Sequence, residues 1–166
     1  MRVLVSDTSV IIDLERGELL EVLFELNYEF AVPDLLFEAE LKPYGGDRLL
    51  ERGLRVEELD GSGVSKAIAR RRETASLSLS DVFALTLASE NGWALLTGDG
   101  PLRALAMAEK VECHGVLWVF DELEAAALRD AKALHSGLSQ IAAHERCRLP
   151  GREIRSRLKR YEDLLS

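Results

Sequence analysis

The sequence predicts one α/β domain: a three-layer α/β/α sandwich around a mainly parallel central sheet, with a helical extension at the C-terminal end. Three observations predict it. Short runs of consecutive apolar residues, such as Val3-Leu4-Val5 and Trp93-Ala94-Leu95-Leu96, read as strands buried on both faces, as in parallel sheets. Segments with helical spacing alternate with those runs. The chain has 166 residues, 47% apolar and 30% charged, which suffices for one sizeable core and is too short for two.

Val3-Leu4-Val5 stops at Ser6-Asp7-Thr8-Ser9, the turn into a helix. Residues 9 to 26 then carry helical spacing in two pieces broken near Gly17: Val10, Ile11 and Leu14, followed by Leu19, Leu20, Leu23, Phe24 and Leu26. Phe30-Ala31-Val32 is a short strand ended by Pro33, and a helix from Leu35 to Leu41 is closed by Pro43 and Gly45-Gly46. A helical turn around Asp47 to Arg52 leads to Leu54 to Leu59, whose alternation suits an edge strand. Val64 to Arg72 is helical and ends in the triplet Arg70-Arg71-Arg72. Ser80 is the expected N-cap of the next helix, Asp81 to Glu90, which stops at Asn91-Gly92. Trp93 to Leu96 ends in Thr97-Gly98-Asp99-Gly100-Pro101, and a helix runs from Leu102 to about Lys110. Cys113 to Gly115 adds a short last strand. The remainder is expected to be helical over Asp121 to Leu128, Ala131 to Ala143 and Pro150 to Leu164, with Ile154, Leu158, Tyr161 and Leu165 as an inward stripe.

The charge is unevenly placed. The whole chain carries −8, yet residues 146 to 160 hold seven basic side chains against the single Glu153, which leaves the rest at −14. A strongly acidic body with a basic C-terminal element suggests a cation on one side and an anionic partner on the other. Cys113 and Cys147 lack CxxC spacing and read as ordinary reduced thiols, and the three histidines fall in no metal-binding spacing. No apolar run approaches the ~20 residues of a membrane span. The first strand reaches Asp7 too soon for a secretory signal, so a cytoplasmic protein with no membrane contact is expected.

A buried strand ending in an acid occurs twice, at Asp7 and at Asp99. If both strands are central and parallel, the two carboxylates share the edge of the sheet where ligands bind. Asp81 opens the helix before the Asp99 strand, and a usual crossover is expected to place it at the opposite edge. Glu38 and Glu40, two apart on one helix, face different ways, so at most one points at the strand ends. Acids gathered in one cleft repel one another unless a cation holds them, and Mg²⁺ or Mn²⁺ is the natural choice for such oxygens.

Four segments carry a resemblance. Val5-Ser6-Asp7-Thr8-Ser9, Val32-Pro33-Asp34-Leu35-Leu36-Phe37-Glu38, Leu77 to Leu85 around Asp81, and Leu95-Leu96-Thr97-Gly98-Asp99 stand in the order of four motifs. With them the chain resembles the PIN-domain ribonucleases, of the kind found as bacterial toxin nucleases. The resemblance covers residues 1 to 118, taken as the nuclease domain, with 119 to 166 as a helical extension packed on it. It implies that Asp7, Glu38, Asp81 and Asp99 surround one or two divalent ions, with Thr8, Ser9 and Thr97 as supporting hydroxyls and Glu40 as the competitor for Glu38. It also implies that Asp81 reaches the cluster, against the crossover argument.

The activity implied is metal-dependent hydrolysis of RNA phosphodiester bonds, as the toxin of a toxin–antitoxin pair, with an antitoxin over the acidic cleft and a homodimer. The basic tail, with Arg152, Arg155 and Lys159, is the candidate contact for RNA phosphates or for an acidic partner. The alternative reading is a non-catalytic scaffold that binds RNA or protein through the same basic helix. A phosphatase with an aspartyl nucleophile would want an acid two residues after the first, where this chain has Ser9.

Overall fold

Residues 1–166 are described by a computed structural model. Five strands form, β1 (Val3–Ser6), β2 (Glu29–Pro33), β3 (Arg55–Glu57), β4 (Ala94–Leu96) and β5 (Cys113–His114). They pair in the order β3-β2-β1-β4-β5, and every pair is parallel. β1 and β4 are the buried central strands that their unbroken apolar runs demand, and β3 lies at an edge, as its mixed pattern requires. The chain winds one way from β1 through β3 and the other way from β4 to β5. A crevice therefore opens where β1 and β4 end side by side.

Helices cover both faces. α1 (Thr8–Arg16) and α2 (Leu20–Leu23) follow β1; α3 (Asp34–Leu36) and α4 (Asp47–Glu51) flank the irregular stretch after β2. α5 (Gly61–Glu73), α6 (Leu79–Asn91) and α7 (Gly100–Ala108) cover one face, and α8 (Val116–Ala125), α9 (Ala131–Ala143) and α10 (Gly151–Leu165) complete the chain. Because side chains alternate along a strand, Leu4 and Leu96 enter one core while Val5 and Leu95 enter the other. The larger core takes in Leu134, Leu138 and Ile141 of α9 and Ile154 and Tyr161 of α10 beside residues of β1 and α1. The C-terminal helices thus share the core of the sheet. No helix is long and apolar enough to cross a membrane.

Three expectations need correction. The apolar run Val116 to Phe120 belongs to α8, which starts five residues before the expected helix; its buried Val116, Val119, Phe120 and Leu123 follow helical spacing. The N-cap of α6 is Ser78, not Ser80: the Ser78 hydroxyl accepts from the Asp81 backbone N–H at 3.1 Å, and Asp81 accepts from the Ser78 N–H at 3.0 Å. Asp81 also stands at the same edge as Asp7. α6 turns at Gly92 directly into β4, so a 13-residue helix running antiparallel to the strands carries its N-terminus to their C-terminal ends.

Candidate active site

Asp7 ends β1 and caps α1, accepting from the Val10 N–H at 3.0 Å. Ser9 donates its hydroxyl at 2.8 and 2.9 Å to the two Asp7 oxygens, and Thr97, at the end of β4, donates to Asp7 Oδ2. Both hydroxyls are held in turn: the Gly98 N–H donates to Ser9 Oγ at 3.0 Å and the Asp99 N–H to Thr97 Oγ1 at 3.0 Å. Asp99 caps α7 through Leu102 N–H at 2.9 Å. The ends of the two central strands are therefore laced into one network, as the pairing of Asp7 with Asp99 anticipated. A side chain at position 98 would press on Ser9 Oγ at 3.3 Å, so glycine there permits the close approach.

Asp7 is 1% exposed. Burial pushes its pKa up to about 6; the hydrogen bonds from Thr97, Val10 and Ser9 pull it down, and the charge of Asp81 raises it again.

The two glutamates separate sharply. Glu40 is half-buried and accepts from the Thr8 hydroxyl, next to Asp7, whereas Glu38 is exposed and paired with Lys42 at 3.5 Å. The cause is backbone geometry: residues Phe37–Leu41 form a π-helical turn. Its wider turn shifts the following side chains relative to an α-helix, so the glutamate five positions after Pro33, which the resemblance picked, is not the one that meets Thr8. The structure brings Glu40 to the crevice and leaves Glu38 outside it.

Asp7, Glu40, Asp81 and Asp99 thus line one edge without a Lys or Arg partner. A carboxylate offers about four lone-pair positions. Asp7 receives four contacts from three donors, Val10 and Ser9 at Oδ1 and Ser9 and Thr97 at Oδ2, while Asp99, Asp81 and Glu40 each engage one oxygen with a protein donor. Asp99, Asp81 and Glu40 each keep a carboxylate oxygen without a protein donor, and hard oxygens with no Lys or Arg beside them suit Mg²⁺ or Mn²⁺, whose remaining positions water fills. No three His, Cys, Asp or Glu side chains are drawn together tightly enough to hold an ion by themselves.

Two features escaped the sequence. Ser9, Asp13 and Arg16 lie at i, i+4 and i+7 of α1 and form a polar stripe running out of the site; that spacing was available as a signal. Burial pushes the Asp13 carboxyl up, while Arg16 and His144 draw it back. The same stripe borders a cavity of about 240 Å³ that Arg146 and Arg148 reach from the far end of the chain. Arg152, Arg155 and Lys159 stand exposed on α10, and none of them lines this cavity.

The DUF3368 family, described as a PIN domain, matches residues 3–163. No curated protein matches. Among solved structures, a PilT N-terminus domain protein from the archaeon Sulfolobus solfataricus P2 is similar at 18% identity and a TM-score of 0.50, over 75% of this chain and 95% of that one. A toxin-antitoxin complex from Klebsiella pneumoniae is similar at 21% identity and a TM-score of 0.43, over 58% of this chain and 86% of that one. The first likeness is one of fold.

Proposed function

We propose, since this chain belongs to the PIN-domain family, that it hydrolyses RNA phosphodiester bonds with Mg²⁺ or Mn²⁺ at the edge formed by Asp7, Glu40, Asp81 and Asp99. The observation that carries the reading is the buried Asp7, without a Lys or Arg partner, at the β1–β4 switch point, with three further acids on the same edge. PIN domains are generally nucleases, and the substrate, the metal and the individual roles are the finer part of the proposal.

A bound divalent ion would activate water and stabilise the charge that builds on the phosphate and the departing oxygen. The chain's own part is positional. Thr97 and Ser9 hold Asp7 in one orientation, and Asp99 presents an oxygen from the start of α7. Asp81, fixed by its reciprocal bond with Ser78, and Glu40, fixed by Thr8, would orient water or complete the ligand set. Hydroxyls rather than amines support the acids, so the site keeps the negative charge that a dication needs.

The test is cleavage of RNA by purified protein with Mn²⁺ or Mg²⁺, comparing Asp7→Asn. Loss of activity by at least a hundredfold in a folded variant is expected; an undiminished rate ends the assignment. Calorimetric titration with Mn²⁺ separates this reading from a non-catalytic scaffold, which would bind no ion at millimolar concentration. Glu38 has no part in the site as we propose it. The toxin role, the antitoxin over the crevice and the homodimer belong to the same proposal on family resemblance alone. Light scattering on the pure chain reads the last of these.

A further inference from the structure

The connection between α9 and α10 does not loop freely into solvent. Cys147 and Leu149 pack against the main core, and the Arg146 and Cys147 N–H groups donate to His144 Nδ1 at 3.1 Å and to its carbonyl at 3.0 Å. His144 in turn acts on Asp13 of α1. With 147 and 149 turned inward, Arg146 and Arg148 alternate outward and are exposed. Both border the 240 Å³ cavity whose other polar walls are Ser9, Asp13, Arg16 and Asp99.

Elsewhere in the tail Arg157 pairs with Asp121 and Glu153, and Arg160 with Asp121 and Glu124; Arg152 and Arg155 are also unpaired but do not line this cavity. Arg146 and Arg148 carry no ion pair, although the cavity they border includes Asp99 and also Asp13, the latter paired with Arg16 at 3.5 Å. The pull of a strongly acidic chain has not drawn them closed. No aromatic side chain lines the cavity, and its apolar walls are few, so it offers nothing for a nucleobase to stack on. It offers two guanidinium forks, with Arg16 nearby, beside the Asp7–Asp99 network. Guanidinium groups match phosphate oxygens with paired hydrogen bonds.

We propose that Arg146 and Arg148, with Arg16, hold a backbone phosphate of single-stranded RNA next to the one the acids address. The far C-terminal part of the chain is then the substrate arm of the site. Such contacts fix where a strand lies and carry no sequence information. The assignment rests on the nuclease reading for the identity of the substrate. It makes Arg146 and Arg148 positioning residues, distinct from the exposed cations of α10.

The experiment is binding of a fluorescein-labelled single-stranded RNA, followed by anisotropy across a salt series with Mg²⁺. It uses the Asp7→Asn background, so the strand stays whole. R146A/R148A is expected to weaken binding at least tenfold at low salt. It is also expected to reduce the slope of log affinity against log salt by ~0.7, the contribution of the one single-strand phosphate these arginines hold. R146K/R148K keeps the charge, and should restore the slope while recovering only part of the affinity. Lys132→Ala, a distant exposed cation, should change neither, and an unchanged Tm shows that each variant is folded. Equal affinity and slope in R146A/R148A, or no binding by the parent, overturns the inference. Displacement of RNA by a poly-glutamate peptide at lower concentration than by unlabelled RNA also overturns it, since the patch would then serve an acidic protein segment. If wild-type protein cleaves no RNA while binding still depends on these arginines, the nuclease reading fails and the phosphate patch stands.

Discussion

Asp7 must ionise to hold a cation, yet the fold takes water away from it. Its carboxyl titrates at about 6 against 3.8 when exposed, a gap worth roughly 3 kcal/mol at neutral pH. The sign follows from proton counting. Between about pH 4 and 6 the unfolded chain has released this proton and the folded chain retains it. The stability that neutral Asp7 allows is therefore present below about pH 4 and lost as pH rises through 6. Asp7→Asn should then be more stable than wild type at pH 7 by about 1–3 kcal/mol, with the difference gone near pH 4. Urea unfolding at the two pH values measures it; a variant less stable at pH 7 contradicts the account. The same scale distinguishes the glutamates. Glu40→Gln is expected to cut RNA cleavage at least tenfold and Glu38→Gln to leave it within twofold, because only Glu40 is tied to the crevice through Thr8. The reverse order in a steady-state assay would move the site to Glu38.

Two elements decide what the residues meet. The π-helical turn Phe37–Leu41 turns Glu40 inward, and turns of this kind gather at functional sites in proteins generally. The second is the contact between α1, which carries the site, and α9 of the extension. Gly17 and Gly137 face each other so closely that a Cβ at 137 would stand 2.8 Å from the Gly17 carbonyl and 2.9 Å from Leu19 Cδ1. Close approach, not a left-handed backbone, requires glycine there. Gly137→Ala should destabilise the protein by about 1–3 kcal/mol through overpacking. Thermal unfolding reads the loss, and a Tm equal to wild type would show that the two helices move apart freely.

On the scale of the whole molecule, the extension closes the larger core with Ile154 and Tyr161. Tyr161 is fully buried and its hydroxyl has no hydrogen-bond partner. Burial, with Glu124 nearby, pushes that phenol up to about 12, so it stays neutral at every working pH. An unpartnered buried hydroxyl costs about 1–3 kcal/mol, and Tyr161→Phe should recover about 1 kcal/mol of it while leaving RNA cleavage unchanged. A destabilised Phe variant in denaturant unfolding would mean that the hydroxyl has a partner after all. The same docking that buries Tyr161 carries Arg146 and Arg148 round to Asp99, so core packing and charge placement have one cause.

The amino-acid sequence by itself determined the strands and the acids that end them. Short apolar runs of strand length at Val3-Leu4-Val5 and Ala94-Leu95-Leu96, each closed by a turn, suit strands buried on both faces of a parallel sheet, and Asp7 and Asp99 follow from where those runs stop. The helix Ala131–Ala143 was legible to its ends because Asp130 caps it and its apolar spacing is regular. Only the tertiary structure decided that Glu40 and not Glu38 faces the crevice. A single π-helical turn rotates side chains without leaving a compositional mark. The edge on which Asp81 stands follows from chain order, because a helix that leads antiparallel into a parallel strand starts at the strands' C-terminal ends; the crossover expectation had that sense reversed. Arg146 and Arg148 were visible as charge but not as neighbours of Asp99. That proximity joins residues nearly fifty positions apart and comes from the packing of α9 and α10 on α1, which local sequence does not encode.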